Sequence, residues 1–101
     1  MAETILDEAA RLTSSDRAKA YGHPAYHHSA TAAALSAYLR RAGKLKDGAE
    51  ISATDWEMAM IFDKAMRFAN EPNRDPLVDI AGYARCAEKV LAFSGDERFE
   101  P

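Results

Sequence analysis

At 101 residues, with 48% apolar and 29% charged side chains, the chain has the composition of one ordinary globular domain and not of a disordered tail. A net charge of -3 and a sequence pI near 5.5 exclude an extended nucleic-acid surface, which leaves a basic footprint. No apolar run approaches the roughly 20 residues of a membrane span, and one cysteine, Cys86, permits no internal disulfide.

The opening residues turn amphipathic at once, with no basic stretch leading into an apolar one, so no signal peptide is expected and a cytoplasmic setting is. Residues 4–14 place Ile5, Leu6, Ala9 and Leu12 on one face and Asp7, Glu8 and Arg11 on the other, which predicts a short amphipathic helix. Residues 15–28 are polar and turn-rich, and Gly22 and Pro24 disfavour an unbroken helix. An ordered loop is expected there, with at most one helical turn around residues 17–20. A second helix should begin near Ser29 and end at Gly43, a left-handed cap behind Arg40 and Arg41.

A charged connection, residues 44–51, leads to Thr54, which with Glu57 three residues on reads as a capping box. The third helix then runs to residue 69 or 70. After a polar break, Asp75 and Pro76 read as the cap and first residue of a fourth helix reaching about residue 93. Its apolar residues Leu77, Ile80, Ala81, Ala84, Ala87, Val90 and Leu91 keep helical spacing, and Ser94 and Gly95 end it. The expected fold class is all-α: a compact bundle of about four helices in a single domain over residues 1–101, the last two forming an antiparallel hairpin.

The third helix is apolar on almost every side, which marks a central helix and directs Glu57, Asp63, Lys64 and Arg67 toward a cleft or a subunit boundary. Lys64 and Arg67, three apart, share a face that suits phosphate oxygens; Asp63 and Arg67, four apart, equally suit a solvated ion pair. Asp75 and Asp79 share a face of the fourth helix, where two carboxylates can hold a hard cation such as Mg²⁺. The alternatives are a helix cap for Asp75 and an ion pair from Asp79 to Lys64 or Arg67.

Tyr21, Gly22, His23 and Pro24, with Tyr26, His27 and His28 beyond, gather groups able to stack on a base or pair with its edge; loop capping of the bundle is the alternative. Three histidines in six residues also raise zinc, but neither a cysteine nor a nearby carboxylate completes a tetrahedral pattern. Cys86, in an apolar helical stretch, reads as a buried inert thiol. Glycine-rich phosphate loops, dinucleotide fingerprints and a serine nucleophile elbow are all absent.

The segments RAKAYGHP, AYL, IFDKAMRFAN and RDPLVDIAGYARCAEKVL resemble a family of small phage proteins of uncharacterised function, over most of the chain. The chain is also similar to the MazG-like and nucleotide-modification-associated all-α nucleotide pyrophosphohydrolases. That resemblance implies two antiparallel helices whose acids hold Mg²⁺ against a nucleoside triphosphate, with cleavage between the α and β phosphates. Carried onto this sequence, it implies Glu57 and Asp79 as catalytic acids, Glu57, Asp75 and Asp79 as Mg²⁺ ligands, and Lys64, Arg67, Asn70 and Tyr83 at the nucleotide. Tyr21 and His23 join them from the loop. Where the superfamily spaces its acids in threes, Met60 follows Glu57 by three and Asp75 precedes Asp79 by four.

Three functions remain open at this point: a Mg²⁺-dependent pyrophosphohydrolase, a non-catalytic binder of a nucleotide or signal molecule, and a helical module that inhibits a host protein. A phage origin would put any of them in the cytoplasm of a bacterial host. A chain this small with so apolar a third helix is also expected to self-associate.

Overall fold

Thr4 opens the first helix, α1 (Ile5–Leu12), through a capping box: its hydroxyl accepts from the Asp7 N–H at 3.0 Å, and the Asp7 carboxylate accepts from the Thr4 N–H at 3.4 Å. The computed structural model describes residues 2–14 and 22–93, so the turn expected at 17–20, Tyr21, and the stop at Ser94 and Gly95 lie outside the described residues. Four α-helices and no strand are present among the described residues.

The second helix, α2 (Pro24–Arg41), starts five residues before the expected Ser29. Pro24 does not interrupt a helix but begins one, because at the first position its missing N–H has no partner to lose. His23 caps it, with ring Nδ1 accepting from the Ala25 N–H at 3.0 Å. His27 and His28 are therefore helical, one turn in, and not part of a loop. At the other end Gly43 takes φ +74° as expected. Its N–H donates to the Arg40 carbonyl and that of Lys44 to the Leu39 carbonyl, closing a Schellman motif.

The third helix, α3 (Ala53–Asn70), is capped by Ser52 with Asp55, two residues ahead of the expected Thr54 and Glu57. The box wins at Ser52 because Asp55 returns the bond to the Ser52 N–H at 3.0 Å. The shift releases Glu57 from capping and carries it inward, where it has 0% exposure. The fourth helix, α4 (Arg74–Ala92), is likewise capped upstream of expectation: Asn73, not Asp75, accepts from the Asp75 N–H at 3.1 Å. Asp75 then sits in the first turn, where a negative charge opposes the positive helix end.

Cross-contacts give the topology. Arg74 pairs with Glu8 and Arg85 donates to Thr13 at 2.9 Å, so α1 and α4 run parallel. His28 meets Glu57 while Ser36 accepts from the Ile51 N–H at 2.8 Å, so α2 leads antiparallel into α3. Trp56 lies against Tyr83 and Lys64 against Asp79, which makes α3 and α4 the expected antiparallel hairpin. The buried apolar residues are small, Ala9, Ala32, Ala53, Val78 and Ala87, and the fully buried side chains of largest volume are polar, Glu57 and Ser36. Two predicted core positions face outward instead: Leu6 is 73% exposed and Leu91 81%.

Candidate functional site

Two concavities flank the α3–α4 hairpin. The first, of about 380 Å³, is roofed by α1 through Leu12 and Thr13 and walled by His28, Trp56, Tyr83 and Cys86. Its wall is aromatic because α2, α3 and α4 each turn one ring into the same layer. His28 and Trp56 have ring centroids 4.7 Å apart, and Trp56 meets Tyr83 edge-on at 5.8 Å. Burial, and then the charge of Asp79, push the Tyr83 hydroxyl above its usual range, so it remains a neutral donor.

The second concavity, of about 330 Å³, opens where the hairpin turns. Lys64, Arg67 and Asn70 line it from α3, Asn73 from the turn, and Asp75 and Asp79 from α4. Spacings of three and four along two antiparallel helices bring cations, amides and carboxylates to one rim. Lys64 Nζ lies 3.5 Å from Asp79 Oδ2, the cross-hairpin ion pair held as an alternative for Asp79. Arg67 also keeps its alternative partner, Asp63, at 3.3 Å. Both Arg67 and Asp63 are well exposed, so that pair is worth little and leaves the guanidinium available.

Of the sequence-derived site residues, Lys64, Arg67, Asn70, Asp75 and Asp79 are brought together, and Tyr83 joins Asp79 at the aromatic cavity. Glu57 lines neither concavity. It is buried against His28, whose Nδ1 meets Glu57 Oε2, and its other oxygen, Oε1, has no hydrogen-bond partner among the described residues. His23 is also buried, with its ring 4.7 Å from that of Phe93, and serves the helix start. Tyr21 lies outside the described residues.

Sequence reasoning missed Trp56, read Cys86 only as an inert thiol, and held His28 only as a loop group for a base, without its buried partners. No cysteine or carboxylate lies near the histidines in the sequence, yet helix packing brings Glu57 and Cys86, 29 and 58 positions along the chain from His28, to stand beside that one histidine. One signal existed, since Glu57 shares a helical stripe with Ala53, Ile61 and Lys64, none of which is exposed. Burial raises the Cys86 thiol to about 11, opposed by Arg85 and Lys89.

Residues 4–91 match a family described as a domain of unknown function, DUF6378. The chain is 38% identical over 91 residues to the Gene 55 protein of Mycobacterium phage D29, covering 89% of this chain and 55% of that protein. It is 35% identical over 97 residues to the Gene 55 protein of Mycobacterium phage L5, covering 95% and 57% respectively. The chain thus spans little more than half the length of these relatives. No solved structure matches.

Proposed function

Given that the chain belongs to the DUF6378 family, with relatives among mycobacteriophage proteins, we propose that it is a phage-type nucleotide-recognising protein acting as a Mg²⁺-dependent, MazG-like nucleoside triphosphate pyrophosphohydrolase. The observation that carries this reading is the position of Asp79, which lines both the aromatic cavity and the polar hollow. A base stacked on Trp56 and Tyr83 would leave its phosphates at Lys64 and Arg67, the arrangement a nucleotide needs. Asp75 and Asp79 fit a Mg²⁺ ion, which takes one or two carboxylates and completes its octahedron with phosphate oxygens and water. When bound, that ion would neutralise phosphate charge and make a water nucleophilic. Glu57, committed to His28, has no part in this set.

A non-catalytic binder is the second reading, and one observation favours it: Asp79 already holds Lys64, and the three acids at the hollow, Glu71, Asp75 and Asp79, are fewer than the two pairs the hydrolases use. Release of pyrophosphate from a nucleoside triphosphate panel with Mg²⁺ separates the two. The enzyme reading expects release that falls by about 10–100-fold or more in Asp79→Asn, a loss typical of a damaged metal shell. Nucleotide-dependent thermal stabilisation without release selects the binder. Neither release nor stabilisation would defeat both and leave a host-protein interaction module. No described helix is long and apolar enough to cross a membrane, and the proposed setting is the cytoplasm of a bacterial host, where nucleotides are abundant.

A further inference from the structure

Beneath the aromatic cavity lies a cluster the nucleotide reading leaves unused. His28 comes from α2, Glu57 from α3 and Cys86 from α4, and one ligand atom of each lies within 4.8 Å of the other two. A carboxylate with no solvent exposure is costly unless every lone pair is engaged. At Glu57 only Oε2 is engaged, by His28 Nδ1, while Oε1 has no partner among the described residues. An orphaned acceptor beside an imidazole and a thiol is what a cation would satisfy.

The geometry points to a binding site for one Zn²⁺ ion held by His28, Glu57 and Cys86, with a fourth position open to the cavity. Zinc bonds of roughly 2.0–2.3 Å set ligand separations on the order of 3.3–3.8 Å in a tetrahedron. With one ligand atom of each residue within 4.8 Å of the other two, the three would draw together around the ion, and His28 and Glu57 would part to admit it. The donor set selects the metal: thiolate and imidazole suit Zn²⁺, whereas Mg²⁺ takes oxygen. His28 and Cys86 both line the cavity, so water or an added ligand completes the shell from that side. Binding sends the Cys86 thiol proton to solvent, since the metal ligand is the thiolate.

This site shares no residue with the hairpin hollow, its ligands His28 and Cys86 line the cavity proposed for the base, and it is tested without nucleotide. Metal-free protein is titrated with Co²⁺ as an optical probe and then with Zn²⁺. One equivalent of Co²⁺ should produce tetrahedral visible bands and a near-ultraviolet thiolate charge-transfer band, displaced by one equivalent of Zn²⁺ and absent in Cys86→Ser. Trp56, the one tryptophan, should change its fluorescence in the same titration because its ring lies 4.7 Å from that of His28. Glu57→Gln should keep the charge-transfer band and weaken binding at least about tenfold. Should Cys86→Ser fail to fold, one equivalent of Zn²⁺ must still slow alkylation of Cys86 in the unaltered protein. Absence of a thiolate band in the unaltered protein, or unslowed alkylation under Zn²⁺, overturns the assignment.

Discussion

Gly43 carries its consequence in one dihedral angle. With φ at +74° it lets the chain leave α2 while the Gly43 and Lys44 N–H groups close back on the Arg40 and Leu39 carbonyls. An added Cβ would meet no atom within 4 Å, so the only penalty for a side chain is conformational. Gly43→Ala should therefore destabilise the protein by about 1–2 kcal/mol, the cost of holding an L-residue in the left-handed region. Chemical denaturation measures it, and a loss near zero would mean that α2 ends by another route. At Glu57 the same scale poses a different question, because a fully buried side chain with one oxygen unpaired is costly, a cost the proposed metal site would relieve.

Every described helix starts on a side-chain cap, at Thr4, His23, Ser52 and Asn73, and at three of the four the cap is not where the most evident motif lay. The Ser52–Asp55 box has a measurable pH signature. Hydrogen bonds from the Ser52 backbone and then from its side chain hold the Asp55 carboxyl below the usual carboxylate range. A folded value below the unfolded one contributes stability that is present above the unfolded pKa and lost as pH falls through the folded one. Thermal stability should thus decline on acidification into and below the carboxylate range, and Asp55→Asn should flatten that decline. Ser52→Ala should cost about 1 kcal/mol at neutral pH. A pH profile unchanged by Asp55→Asn would contradict this account of the α3 start.

At the scale of the whole molecule, the described helices leave one side of α3 uncovered. Met58, Phe62 and Met66, four residues apart, form a stripe in which Phe62 is 68% and Met66 67% exposed. The expected central helix is central on one face only, since α2 and α4 cover the side bearing Glu57 and Lys64. Self-association through this stripe is our proposal, because a second copy could bury the same apolar row against its own. Sedimentation at micromolar concentration should show a species larger than a monomer, and Phe62→Glu should shift it to monomer. A monomer in the unaltered protein would defeat the proposal.

Helical periodicity, Gly43 and the break before Asp75 were enough to make the all-α class and the C-terminal hairpin legible, because local spacing and turn chemistry act within a few residues. The charged rim of the hairpin was legible too: a turn of few residues forces Lys64 and Arg67 to face Asp75 and Asp79. What the sequence could not disclose was the meeting of His28, Glu57 and Cys86. Those residues sit on three helices, and their distances depend on which faces pack and on caps at His23 and Ser52 that set each helix's phase. Side chains far apart in a chain become neighbours only through the rotation and crossing of whole elements, and that is a property of the packed tertiary structure.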